Sequence, residues 1–98
     1  MALKKESAVE AELVTRVQLA GGMAKKVTVI GERGFFDRLV ILPGARVIFA
    51  ELKRPQGGVL SAHQKQWHAR CRALGVEVAL IRRSADIDCL LSGTPHKQ

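Results

Sequence analysis

Two carboxylates and an amine, Asp37, Glu51 and Lys53, stand out in this sequence for how closely they can be brought together. In 46-RVIFAELKRP-55, a run that reads as a buried strand, Val47-Ile48-Phe49-Ala50, continues into a glutamate and a lysine two residues apart. An ionised group taken out of water costs several kcal/mol unless it is paired or bound to a metal, so the two charges need a reason. Strand side chains alternate, which puts Val47, Phe49, Glu51 and Lys53 on one face and Ile48, Ala50 and Leu52 on the other. With Pro43-Gly44-Ala45 as a three-residue hairpin loop, Leu42 pairs with Arg46, and counting back sets Asp37 opposite Glu51 with Cβ atoms about 5 Å apart. Two carboxylates and a lysine then converge. Like charges so placed repel unless a divalent cation sits between them, and hard oxygen ligands at this separation suit such an ion. A loop one residue shorter would turn Asp37 to the other face, so the site depends on that register.

The remaining chain supplies the elements that hold this hairpin. Val9, Leu13, Val17 and Ala20 recur at helical spacing over residues 6–20, and Gly21-Gly22 stops the run. Residues 24–30, 37–42 and 46–53 are rich in β-branched residues and read as three antiparallel strands. After a loop at 54–59, Leu60, Gln64, Trp67, Cys71 and Leu74 mark a second helix that Gly75 ends. Residues 76–81 form a short apolar strand, and Ser84 is placed to cap a last helix ending near Leu91. The order αβββαβα implies an α/β fold, a small mixed β-sheet flanked by helices, with strand four parallel to strand three through the helical crossover.

Composition narrows the function. At 98 residues with 47% apolar content, the chain is expected to fold as one domain, with a core over about 6–91, and is too hydrophobic to be disordered. Sixteen Lys and Arg against nine Asp and Glu give +7, which favours a polyanionic partner such as nucleic acid. Lys25, Lys26, Arg33, Arg38, Arg54, Lys65, Arg82 and Arg83 are the candidate phosphate contacts. No apolar run approaches the roughly 18 residues that span a bilayer, so the expectation is a soluble protein with no membrane partner. Cys71 and Cys89 lack metal-ligand spacing and are read as free thiols.

An acid on one strand, followed after a hairpin by Glu-X-Lys on the next, resembles the PD-(D/E)XK nuclease superfamily. The string FDRLVILPGARVIFAELKRPQGGVLSAHQKQWHARCRALGVEVALI is similar to its VRR-NUC branch, whose pattern runs PDR, aliphatic strand, P-G, aliphatic strand, E-L-K, loop, L-S-x-x-Q helix start and G-V-x-V strand. Upstream, VEAELVTRVQLAGG resembles the opening helix, so the resemblance covers about residues 9–91. The family proline before Asp37 is Phe36 here, a change that removes no metal-binding atom.

The resemblance implies a restriction-endonuclease-like core, with Mg²⁺ or Mn²⁺ held by Asp37, Glu51 and the Leu52 backbone carbonyl, joined by Glu10 from the first helix. Lys53 would orient water and steady the phosphate, and Gln64 would lie beside the same site. Lys25, Lys26, Arg38, Arg54 and Lys65 would contact DNA. The implied activity is that of a structure-specific DNA endonuclease of a bacterial or phage-infected cell, cytoplasmic and nucleoid-associated. Stand-alone members resemble enzymes that cut four-way (Holliday) junctions, and a homodimer would bring two sites to one junction, with the apolar residues of helix one or of the C-terminal segment Ile87, Leu90 and Leu91 as its interface. A flap or restriction-type nuclease, and a catalytically silent DNA-binding module, are the alternatives.

Each residue also has a plainer reading. Glu51 and Lys53 could be an exposed pair at a strand end, and Asp37 could simply open a strand after a turn. Glu10 stands among Glu6 and Glu12 as one of several helix charges. Gln64 completes a capping box with Ser61, a role compatible with the site. His63 and His68 are read as surface or packing residues, and Trp67 as a core anchor.

Overall fold

The computed structural model describes residues 6–32 and 34–93. Arg33 lies outside the described residues. The elements are α1 (Glu6–Leu19), β1 (Met23–Lys26), β2 (Arg38–Leu42), β3 (Arg46–Leu52), α2 (Ala62–Ala73), β4 (Glu77–Ile81) and α3 (Ser84–Ser92). They form one four-stranded sheet in the order β1-β2-β3-β4, with the first two pairings antiparallel and β3–β4 parallel. The expected order and mixed sheet are thus observed. No helix among the described residues is long and apolar enough to cross a membrane.

Strand alternation divides the core into two layers. Val40, Ile48, Ala50 and Leu52 face Val9, Leu13 and Val17 of α1 and Ile87 and Leu90 of α3, forming the larger cluster. Phe49 and Val78 face the other way, against Phe36, Cys71 and the half-buried Phe35 and Trp67. The first cluster is aliphatic and sealed. The second carries the aromatic residues and is the layer on which Glu51 opens.

Four expectations are corrected. The first strand ends at Lys26 rather than at residue 30. Its partner ladder runs out there: Lys26 pairs with Arg38, Val27 N–H makes one more bond to the Asp37 carbonyl at 3.1 Å, and residues 34–36 then leave the sheet to place Phe35 and Phe36 under α2. The second helix starts at Ala62, and Leu74, expected on its inward stripe, caps it and is 65% exposed; the buried positions are His68 and Cys71. Ser84 is the first residue of α3 rather than its cap. Its hydroxyl donates to Glu12 Oε1 of α1 at 2.7 Å, while Asp86 Oδ2 accepts from the Arg82 and Arg83 amides at 2.8 and 3.2 Å. Finally, of the C-terminal apolar residues that offered one of two candidate subunit interfaces, Ile87 and Leu90 are fully buried in the core. Cys71 and Cys89 are unpaired thiols.

Candidate active site

The hairpin positions the acids. Its loop is the three residues Pro43, Gly44 and Ala45, the last two with positive φ, and the register runs from Leu42↔Arg46 to Arg38↔Ala50. One step further, Asp37 N–H donates to the Ala50 carbonyl at 3.1 Å, which sets Asp37 opposite Glu51 just beyond the formal end of β2. Asp37 Oδ2 accepts from the Leu52 amide at 2.7 Å, so the aspartate is pinned across the end of β3 by its own side chain. Lys53 extends the ladder on the other side, donating its amide to the Ile81 carbonyl at 3.0 Å.

Glu51 is 1% exposed. Its Oε2 accepts from Gln64 Nε2 at 2.9 Å, and its Oε1 has no hydrogen-bond partner among the described residues. Burial, then the hydrogen bond and charge of Asp37, push its carboxyl up to about 9; the Lys53 ammonium opposes this and the Glu6 charge adds to it. A buried carboxyl beside a second acid is a position that a neighbouring positive charge would stabilise.

The second helix closes the site from above. Gln64 accepts from the Ser61 amide through Oε1 while its own amide donates to Ser61 Oγ, so it caps α2 and reaches Glu51 at once. One turn later His68 is 2% exposed, stacked on Phe36 with ring centroids 4.6 Å apart, and its Nε2 lies 3.8 Å from Glu51 Oε1. Burial, then the charges of Arg72 and Lys53, pull His68 down to about 4. With Glu51 protonated and His68 neutral at neutral pH, their approach is not an ion pair. Phe36, where the family pattern has proline, is the 1%-exposed ring sandwiched between His68 and Phe49.

Two glycines let the surrounding chain come this close. A Cβ on Gly34 would stand 2.7 Å from His63 Cβ, so the segment leading to Asp37 can pass under the α2 N-terminus only without a side chain there. A Cβ on Gly58 would meet the Arg54 backbone at 2.8 Å and Lys53 Cβ at 3.1 Å. The loop after Lys53 therefore folds back on the lysine. Arg82 Nη1 holds the Arg54 and Gly58 carbonyls, and Arg83 Nη2 the Pro55 carbonyl, so these two cations build the loop.

The other expected site residues divide. Glu10 Oε2 accepts from Arg38 Nε at 2.9 Å, and Arg38 Nη1 donates to the Ala24 carbonyl at 3.1 Å. Glu10 still shares a cleft of about 250 Å³ with Asp37 and Lys26. Glu6, one turn earlier on the same helix face, adds the weakest of the charges that act on Glu51. Arg38, expected on DNA, is engaged within the protein, whereas Lys25, Lys26, Arg54 and Lys65 are exposed. His63 is exposed, and Trp67 packs edge-on against Phe35.

Asp37 and Glu51 fit a divalent ion on three observations: opposed carboxylates, a buried Glu51 oxygen without a partner, and an all-oxygen donor set. Among the described residues no group of three or more His, Cys, Asp or Glu is arranged to hold a metal ion.

A hairpin that presents an aspartate and a Glu-X-Lys strand end on a four-stranded mixed sheet defines a nuclease class, and known proteins agree. No family model matches the chain. It is 41% identical over 91 residues to the protein named "Putative nuclease p44" of Acyrthosiphon pisum secondary endosymbiont phage 1, across 93% of this chain and 96% of that one. It also superposes on a solved VRR_NUC domain with a TM-score of 0.84 at 31% identity, over 93% of this chain and 97% of that one. The chain belongs to the VRR-NUC nuclease family, and its sheet and helices have that family's PD-(D/E)XK-like core.

Proposed function

We propose that this nuclease is a metal-dependent, structure-specific DNA endonuclease, with the four-way junction as its first substrate and a homodimer as its working form. The observation that carries the reading is the Asp37–Glu51 pair, two carboxylates opposed across a strand end with one buried oxygen unsatisfied. Asp37, Glu51 and the Leu52 carbonyl are the groups that would hold Mg²⁺ or Mn²⁺. When bound, the ion supplies Lewis acidity at the phosphate and lowers the pKa of its water.

The chain's own residues do the rest. Asp37 is oriented by the Leu52 amide and Glu51 by Gln64, so neither carboxylate has to be ordered when substrate arrives. The Lys53 ammonium lies close enough to act on both Glu51 and His68, and a donor there can orient the attacking water and stabilise charge on the phosphate. Water oxygen forms the new P–O bond as the bond to the leaving sugar oxygen breaks. A chain charge of +7 and exposed Lys25, Lys26, Arg54 and Lys65 provide the attraction for the DNA backbone.

The test is cleavage of labelled four-way junction, flap and linear duplex DNA with Mg²⁺, with Mn²⁺ and with EDTA. Junction cutting that requires metal and is abolished in Asp37→Ala, Glu51→Ala and Lys53→Ala, with the fold retained, is the expected result. Cutting undiminished in EDTA overturns the metal mechanism; flap cutting with intact junctions moves the substrate to flaps; binding without cutting leaves a silent DNA-binding module.

A further inference from the structure

The chemistry above makes no use of His68, although a buried imidazole with neither Nδ1 nor Nε2 partnered among the described residues is a costly feature. His68 also lines a cavity of about 400 Å³ between the loop after β3, α2 and β4. That is within the roughly 300–1,000 Å³ of small-molecule sites. Val59, Leu60 and Leu80 give the cavity apolar walls, Lys65, Arg72 and Arg82 contribute cations, and no acidic residue lines it.

We propose that this cavity is a subsite for one unstacked nucleobase of the DNA strand cut at the neighbouring carboxylates, its flat face against the aliphatic walls and its phosphate at Lys65 and Arg72. The assignment rests on the nuclease reading. Apolar walls rimmed by cations, with no acid among the described lining residues, match a base attached to a phosphate better than they match an apolar or a purely anionic ligand. Location supports the same occupant, because His68 Nε2 lies only 3.8 Å from Glu51 Oε1, so the cavity and the hydrolytic site share a wall. The wall is also preformed: Arg82 fastens the loop through the Arg54 and Gly58 carbonyls.

Such a subsite has a consequence for substrate choice. A base inside an intact duplex cannot enter it without being unpaired and unstacked, whereas branch points and single-stranded flanks offer bases at lower cost. The pocket would thus favour branched DNA in each subunit separately, independently of any subunit geometry.

The experiment scans a branched substrate with 2-aminopurine and, separately, with abasic residues at successive positions on both sides of the cut. Binding is read in EDTA as 2-aminopurine fluorescence, and cleavage is read in Mg²⁺ or Mn²⁺, for the wild-type chain and for Val59→Trp. Val59 is 70% exposed, so the bulky side chain obstructs the cavity without entering the core. The expected result is one position whose fluorescence changes on binding, with cleavage about tenfold slower when the base is missing there. Val59→Trp should lose both the fluorescence change and the dependence on that base while still cutting. Uniform fluorescence, with abasic substrates cut at the intact rate at every position, overturns the subsite while leaving the nuclease reading in place. No cleavage of any DNA by the wild-type chain in either metal overturns the nuclease reading itself.

Discussion

Gln64 Nε2 donates to Glu51 Oε2 at 2.9 Å while Oε1 of the same side chain accepts from the Ser61 amide at 2.9 Å, so one residue both caps α2 and fixes the buried acid. The two jobs can be separated. Ser61→Ala removes the hydroxyl half of the capping box and leaves the contact to Glu51, so it should cost about 1 kcal/mol of stability with the cleavage rate nearly unchanged. Gln64→Ala loses the cap and also the hydrogen bond that holds Glu51 Oε2. It should be the less stable of the two and should cut more slowly. Thermal melts and single-turnover rates on the same two variants check this; equal rates would make Gln64 a cap alone.

The pH dependence follows from Glu51 and His68 together. Glu51, raised to about 9 by burial and Asp37, binds a proton in the folded chain that the unfolded chain releases near 4.5, so on its account metal-free stability falls as pH rises between those values. His68, lowered to about 4 by burial and neighbouring cations, does the reverse between about 4 and 6.5, where the unfolded chain binds the extra proton. The two slopes offset below 6.5. Above it only Glu51 remains, so chemical denaturation in EDTA should show stability declining from about pH 6.5 to 9, with Glu51→Gln removing the decline. Mn²⁺ or Mg²⁺ should raise the melting temperature more at pH 8.5 than at pH 6, because the cation replaces the proton.

Phe36 shows what a departure from the family pattern can do. Its ring lies 5.2 Å from that of Phe49 and 4.6 Å from His68, stacked on each, so the side chain fills the space beneath the site. Restoring the family residue by Phe36→Pro removes a fully buried ring and its two stacking partners. The expected loss is about 3–5 kcal/mol, the scale of emptying an aromatic core site, measured by urea denaturation. A Phe36→Pro chain as stable as the parent would show that the aromatic layer is not required.

Which features could be read from the sequence depended on whether they obey a local period. The hairpin register followed from a three-residue loop and strict alternation along β3, and Asp37 does stand opposite Glu51. The sheet order and the capping box at Ser61 and Gln64 were legible for the same reason. His68 was legible only as a surface or packing residue: it sits one residue past Trp67, and its stacking on Phe36 is what makes it the packing one, while Leu74 is exposed. Glu6 and Glu10 are four apart on one helix face, so periodicity could not choose between them. In space Glu10 pairs with Arg38 and shares a cleft with Asp37, while the charge of Glu6 is the weakest of the influences on Glu51.

The last prediction concerns the number of chains that act together. A four-way junction has approximate two-fold symmetry, and its resolution needs matched nicks in two opposed strands, whereas each chain carries one Asp37, Glu51 and Lys53. A closed two-fold dimer would supply two sites at a fixed separation and a formal charge of +14, from two chains at +7 each. Burial of Ile87 and Leu90 removes the C-terminal helix's main apolar residues from the candidates for its interface. On the other candidate, α1, Leu19 is 83% exposed at the helix end, and Met23, which opens the edge strand β1, is 46% exposed. Sedimentation should therefore give twice the 10.7 kDa chain mass, and junctions should be nicked at symmetric positions. Leu19→Asp should yield the single-chain mass and uncouple the two nicks, while metal-dependent stabilisation at Asp37 and Glu51 persists. A wild-type chain that sediments as a monomer yet makes paired, symmetric nicks would overturn the requirement for two chains and leave the site chemistry untouched.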